Sequence, residues 1–405
     1  MKKLVIYDII VFFIILQFLS FFSLKLIPDD SPLRDQVKTL EGILLVAVCF
    51  SGLVFEKGTN FKPLDKKVLF FILTMILSSM CAYAYWNQSF TASLKGYANF
   101  YIYILYFIFV IFNFSIERIE KFIKIFFFLS LIVFIVDIAT LPESLFSYRN
   151  EERRNGITIW FEGQGFTFLG AFYYLNKFFY EKKLYQLGLF IVAALCLFLL
   201  TQSRMNLLAL VLGFFFLLLC SDVKKKYLIV VLISLAGFAF YQTSEIFKGI
   251  KEASTDQSAF AKEDIRVSAQ SYYLNDLQGG IPTMIFGNGV PAANTDLGIA
   301  TTNANLLGYW TADIGLTGIF SFFGMVGVTI WLSFFYSVYK LKNSQRSNYL
   351  KAYFITLLTT VFTGFSIFDP GYMPSTILAL YLVSCHLQDG QLDNSSTPEF
   401  FPVLT

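Results

Sequence analysis

Phe260-Ala-Lys-Glu-Asp-Ile-Arg266-Val-Ser-Ala-Gln-Ser-Tyr-Tyr-Leu-Asn-Asp-Leu277 is the middle of the one long polar segment, Ser244 to Asn305, in a chain that otherwise alternates apolar runs with short charged connectors. Phe260, Ile265, Tyr272, Tyr273 and Leu277 are spaced for a short amphipathic helix. A Gly-rich turn, Gly287-Asn-Gly289-Val-Pro291, follows, and Asn303-Ala-Asn-Leu306 leads back into apolar sequence. Loops of this length in a compact protein are either functional or disordered. The aromatics and spaced glycines favour function, so the segment is expected to form one wall of an active site.

The surrounding sequence decides what kind of protein carries that wall. The chain is 56% hydrophobic, 19% aromatic and only 15% charged, with a mean hydropathy of +0.62. A soluble domain of 405 residues could not solvate such a surface, whereas apolar runs of about 20 residues each span a bilayer. The expected fold is an all-α polytopic membrane protein, one integral domain over 1–405. About twelve spans are expected, near 4–24, 38–55, 68–86, 97–115, 122–140, 160–180, 184–200, 205–221, 227–243, 306–339, 351–368 and 372–387. The segment 244–305 then separates spans nine and ten, and 388–405 is a polar, frayed tail. The tenth run is long enough to begin as an external helix before entering lipid. The first run lacks a small-residue cleavage site and is followed by more spans, so it is read as a span and not a signal peptide.

Positive residues in short loops stay cytoplasmic. Most of the 31 Lys and Arg fall in alternate connectors: Lys2 and Lys3; Lys57 to Lys67; Arg118 to Lys124; Lys177 to Lys183; Lys224 to Lys226; Lys340 to Lys351. That pattern puts both termini in the cytoplasm and 244–305 outside a plasma membrane, with Trp86 and Trp160 at outer span ends. The five cysteines lie in or beside spans, so no disulfide framework is expected. A net charge of +3 is too small to imply a nucleic-acid partner.

Charged residues at the outer span ends are the candidates for chemistry. Arg204, in Thr201-Gln-Ser-Arg-Met-Asn206, is wedged between two apolar runs. Either it snorkels to mark a span end, or its planar fork binds an anion at the head of the next helix. Arg266 lies on the loop helix, and Gly287 and Gly289 either bring backbone N–H groups to a ligand or simply make a turn. Arg149 to Arg154 with Asn155-Gly156 precede Glu162, which stands among Trp160, Phe161 and Phe166. Glu162 and Asp313 are carboxylates for a general base or for pairing with an arginine. The lone His386 is at the cytoplasmic end of the last span and takes no role. No transition-metal site and no cofactor is expected, although acidic residues outside leave Mg²⁺ or Ca²⁺ open, and without a Gly-x-x-x-x-Gly-Lys-Ser/Thr motif no ATPase is expected either.

In this order, these stretches resemble the bacterial O-antigen polymerase and ligase superfamily. Arg153-Arg154-Asn-Gly156 with Glu162 resembles its Arg-Gly-carboxylate pattern, and Ser203-Arg204 its Ser-Arg turn between spans. Arg266, Gly287-Asn-Gly289 and Asn303-Ala-Asn-Leu306 resemble its external loop, and Asp313-Ile-Gly315-Leu-Thr-Gly318 its closing acid-x-Gly-x-x-Gly. The resemblance covers roughly 150–320. It implies catalytic roles for Arg204 and Arg266 and substrate-binding roles for Arg153, Arg154, Glu162, Gly287, Gly289, Asn303 and Asp313. The implied enzyme is a metal-independent glycosyltransferase of the bacterial inner membrane. It acts on undecaprenyl-pyrophosphate-linked oligosaccharides in lipopolysaccharide or capsule polysaccharide biosynthesis, with a flippase and a chain-length regulator as partners. Ligases of the superfamily carry a histidine where this chain has Thr302, which favours a Wzy-type polymerase. Ligase, lipid-linked oligosaccharide flippase or transporter, and a non-catalytic scaffold are the competing readings. A transporter predicts charges at several mid-span positions, and here only Asp137 approaches one.

Overall fold

The computed structural model describes residues 2–23, 42, 45–49, 62–140, 153–154, 157–158, 163–201, 204–228, 230–231, 265–362, 364 and 366–395. Apart from one two-residue antiparallel pair, Arg153–Arg154 with Ile157–Thr158, the described residues form helices and their turns. The principal helices are α1 (Lys2–Phe18), α2 (Asp65–Trp86), α3 (Phe90–Ile111, 3-10 in its middle), α4 (Ile116–Ala139), α5 (Gln164–Glu181), α6 (Leu184–Thr201) and α7 (Arg204–Cys220). They continue with α8 (Ile265–Ser271), α9 (Ile281–Phe286), α10 (Asp296–Leu306), α11 (Leu316–Tyr339), α12 (Asn348–Thr360) and α13 (Met373–Ser395).

Among the described residues, four helices are long and apolar enough to cross a membrane: α2, α3, α4 and α11. Shorter apolar helices cover Ile6–Phe18, Leu184–Phe198 and Met205–Cys220. Their burial is that of a membrane protein. On α2, Val68, Phe71, Met75 and Ala82 face the core while Phe70, Leu73, Met80 and Tyr83 are exposed. Leaving one such side chain in water costs about 1.5–3 kcal/mol relative to burial, a cost lipid removes. The buried centre also carries polar side chains. Every residue of α13 from Met373 to Cys385 is buried, as is α5 from Gln164 to Asn176. Hydroxyls there pair internally: Tyr353 Oη lies 2.8 Å from Ser375 Oγ and 3.0 Å from Thr376 Oγ1. A helix buried on all sides gains nothing from an apolar stripe.

The expected boundaries need four corrections. The fifth span begins at Ile116, because Ser115 caps the helix by accepting from Arg118 N. The tenth run is not one helix. α10 ends at Leu306, a 3-10 turn covers Thr311–Ile314, and α11 starts after Gly315. Gly315 has φ +53°, and a Cβ there would stand 1.7 Å from the Val361 carbonyl oxygen, so the break is dictated by packing against the end of α12. α12 stops at Thr360, short of 368, and α13 runs on to Ser395 where a frayed tail is expected after Gln388. Of the amphipathic helix expected over 260–277, the described part is Ile265–Ser271, which finishes as a π turn, Tyr272–Asp276. Spans near 38–55 and 227–243 fall largely outside the described residues.

The basic connectors gather at one end of the bundle. Lys62 Nζ at the head of α2 donates to Tyr381 Oη (2.8 Å) and lies 3.0 Å from Cys385 Sγ, both late in α13. Tyr381 Oη donates to the Phe114 carbonyl between α3 and α4. Asn176 on α5 donates to the Gln345 carbonyl between α11 and α12. Trp86, Gln88, Gly165 and Gly371 lie at the opposite end with the segment 265–315.

Candidate functional site

The described part of the polar segment is three short helices folded over the end of α2. Their small core is Ala269, Tyr273, Leu277, Leu297, Ala304 and Ile314, with Trp86 packed against it. Tyr273 Oη donates to the Tyr309 carbonyl at 3.0 Å, and Tyr272 Oη to that of Ala300 at 3.4 Å. Burial pushes both phenols up from their ordinary pKa, so they serve as neutral struts.

Two polar anchors fasten these helices to the bundle. Trp86 Nε1 donates to Asn288 Oδ1 at 2.9 Å, while Asn288 N donates to the Ser321 carbonyl on α11 at 2.8 Å. Gln88, fully buried, donates to the Val290 carbonyl and to Ser93 Oγ. Its Oε1 accepts from Ala292 N and from Thr295 Oγ1. Thr295 in turn caps α10 through Gly298 N.

The Gly-x-Gly turn is used for this docking. Gly287 N donates to the Thr283 carbonyl and Gly289 N to that of Phe322, so neither amide points to open space. The contact is main chain on main chain. A Cβ on Gly287 (φ +87°) would stand 2.2 Å from Phe322 O, and one on Gly324 (φ +63°), where α11 is locally non-helical, 2.4 Å from the Ile285 carbonyl. Of the two meanings open for these glycines in the sequence, the turn is the one their hydrogen bonds describe.

The other expected site residues fall as follows. Arg266 is exposed on the first turn of α8, which packs against the turn holding Asp313, also exposed. Asn303 and Thr302 are exposed on α10. Arg204 opens α7. The Arg204, Arg153 and Arg154 side chains, and all of Glu162, lie outside the described residues.

A junction that charge alone did not reveal joins the heads of α5 and α7, the second of which begins at Arg204. Gln164, at the head of α5 and two residues past Glu162, donates from Nε2 to Tyr372 Oη at 2.5 Å. Tyr372 Oη donates to Asn206 Oδ1, two residues past Arg204, at 3.3 Å. Gly165 N donates to the Gly371 carbonyl, and Gly371 N to Asp369 Oδ1. The heads of α5, α7 and α13 therefore meet at one buried point, and the positive ends of three helix dipoles face the same side. Gln164, Asn206, Tyr372 and Asp369 are additions to the sequence reading. Their only signal was a polar side chain at the end of an apolar run.

Among the described residues, no group of three or more His, Cys, Asp and Glu is placed to hold a metal. No family model, curated protein or solved structure matches the chain.

Proposed function

We propose that the chain is a glycosyltransferase that polymerises polyprenyl-pyrophosphate-linked oligosaccharide repeat units at the outer face of a bacterial plasma membrane. The observation that carries this reading is the junction of three helix heads through Gln164, Tyr372 and Asn206, because it holds the start of Arg204's helix against the head of α5. Three converging N-termini favour an anion, and an arginine at that depth adds a planar, bidentate partner for phosphate oxygens. Arg266, on the helix beside the Asp313 turn, serves the same leaving group from the loop side.

The donor is an amphiphile whose pyrophosphate sits at the interface while its tail stays in lipid. In the proposed reaction an acceptor sugar hydroxyl attacks the anomeric carbon of the donor glycan. The bond from that carbon to the pyrophosphate oxygen breaks, the electron pair leaves with the pyrophosphate, and the hydroxyl proton passes to a base such as Asp313 or to water. The arginines stabilise charge growing on the leaving group, and a nearby carboxylate eases the oxocarbenium-like centre. No nucleotide is consumed.

The test is a purified chain given lipid-pyrophosphate repeat units, without sugar nucleotide or ATP. Oligomers and free lipid pyrophosphate are expected, with chelator having no effect. Elongation only with a sugar nucleotide would sink the proposal. In cells, deletion should leave single repeat units on the final acceptor. Long lipid-linked chains accumulating outside would indicate a ligase, and single units trapped inside a flippase.

A further inference from the structure

At the basic end, away from the polar segment, a cleft of about 580 Å³ opens between α4, α5 and α6. Two ammonium groups flank one ring in it: Lys177 Nζ is 5.0 Å and Lys124 Nζ 5.9 Å from the Tyr173 centroid. Phe128 and Tyr185 form its sides. Gly188 leaves its wall open, since a Cβ there would meet nothing within 4 Å.

The charges around the cleft leave an excess of cation. Glu120 lies behind Tyr173 and accepts from the Tyr173 and Tyr349 hydroxyls, each at 3.3 Å. Glu181 is 2.9 Å from Lys183 Nζ but 3.8 Å from Lys177 Nζ, so Lys177 is only loosely paired. Lys124 has no carboxylate within 4 Å among the described residues. Three lysines thus face two carboxylates. Tyr185 Oη accepts from Gln186 Nε2 and keeps its own hydrogen to donate. This set fits a phosphate group.

The helix surface beyond the cleft says what the phosphate is attached to. Lys124, Phe128, Ile132 and Ile135 are spaced four, four and three residues apart and so form one stripe along α4. Phe128 is 40%, Ile132 57% and Ile135 50% exposed. A free anion has no use for that stripe, but an acyl chain does. We infer that this cleft binds the phosphate headgroup of an anionic phospholipid, with one acyl chain laid along Phe128, Ile132 and Ile135. The inference needs the membrane fold but not the glycosyltransferase reading.

The test is native mass spectrometry of the full chain from micelles holding equal dioleoylphosphatidylglycerol and dioleoylphosphatidylcholine. One phosphatidylglycerol should be retained over phosphatidylcholine by about tenfold or more, the scale expected of two lysines at a membrane surface. The preference should vanish in Lys124→Gln/Lys177→Gln. It should also vanish in Gly188→Leu, which fills the space without touching charge, and persist in Lys224→Gln/Lys225→Gln at the same end. Melting temperature in phosphatidylcholine alone checks that each variant is folded. Equal retention of the two lipids, or an undiminished preference in the lysine pair, overturns the site. Retention by Gly188→Leu removes it from the cleft, and displacement by millimolar inorganic phosphate shows a free-anion site in place of a lipid site.

Discussion

The two ends of the bundle solve opposite problems. At the basic end, outside the cleft of Lys124 and Lys177, several charges are taken inside and partnered. Lys62, 8% exposed, meets Tyr381 and Cys385; Asp65, 1% exposed, accepts from Lys62 N and Tyr106 Oη; Arg118 pairs with Asp8 at 2.5 Å. At the other end, Asp137 apart, the buried polar groups are neutral: Gln88, Gln164, Asn206, Asn288 and Tyr372 hold one another and the backbone, while Arg266 and Asp313 stay exposed. A buried charge with its partners in place is costly to disturb and cannot respond to a ligand. One end holds helices together through buried charge, and the other carries Arg266 and Asp313 at its surface.

The sharpest way to break this comparison is to ask which end faces out. Asn303 and Ser344 are both exposed, on α10 and between α11 and α12. A cysteine at Asn303 should react with a membrane-impermeant maleimide in intact spheroplasts, and one at Ser344 only after permeabilisation. The reverse pattern turns the molecule over and removes the outer-face chemistry with it.

Next in size is the loss of either arginine. Arg204→Ala or Arg266→Ala should lower oligomer formation by at least about a hundredfold, as removal of a group that stabilises developing charge does, with protein abundance unchanged. Lysine should restore little, because a point charge does not reproduce the bidentate fork. Lys183→Ala, exposed at the basic end, should leave the rate alone. Normal polymer from both alanine variants would reduce Arg204 to a snorkelling side chain and Arg266 to a solvated one.

Asp65→Ala tests the basic end as scaffold. It strands the Lys62 amide and the Tyr106 hydroxyl, both buried, at about 1–3 kcal/mol for each unsatisfied group. The melting temperature in detergent should fall by several degrees, and activity should fall only with the amount of folded protein. A variant that melts normally but turns over slowly would mean that this end, too, takes part in chemistry.

How much of this was legible beforehand depended on what faces lipid and what carries charge. α2, α4, α6, α7 and α11 stand out as apolar runs because one face of each must suit lipid. α13 was legible only to Leu387, since the rule reads hydropathy and the rest of the helix, Gln388 to Ser395, is polar. The break between α10 and α11 was not legible at all. Gly308 and Gly315 take positive φ for reasons set by distant partners, Ile265 and Val361. In the site, Arg266 and Asp313 were found by charge and fall on elements that touch, whereas Gln88, Gln164, Asn206 and Tyr372 carry no charge and resemble ordinary span-end residues. The glycine pair was noticed for the right flexibility, but its close partner is α11.

The smallest expected effect separates positioning from mere support. Tyr372→Phe removes one hydroxyl and keeps the ring that stacks on Phe168, 6.1 Å between centroids. It leaves the Gln164 and Asn206 amides without their shared partner, at about 1 kcal/mol or slightly more. If the hydroxyl only stabilises the bundle, melting temperature falls slightly and the rate per folded molecule stays the same. If it holds the heads of α5 and α7 in register for Arg204, turnover falls several-fold at saturating donor while the melting temperature barely moves. The second result is expected, because α5, α7 and α13 are each packed along their length and only their heads depend on Tyr372. The effect should also disappear in an Arg204→Ala background, since a positioning residue has nothing to position once its target is gone. An equal loss in both backgrounds would assign Tyr372 to the framework alone.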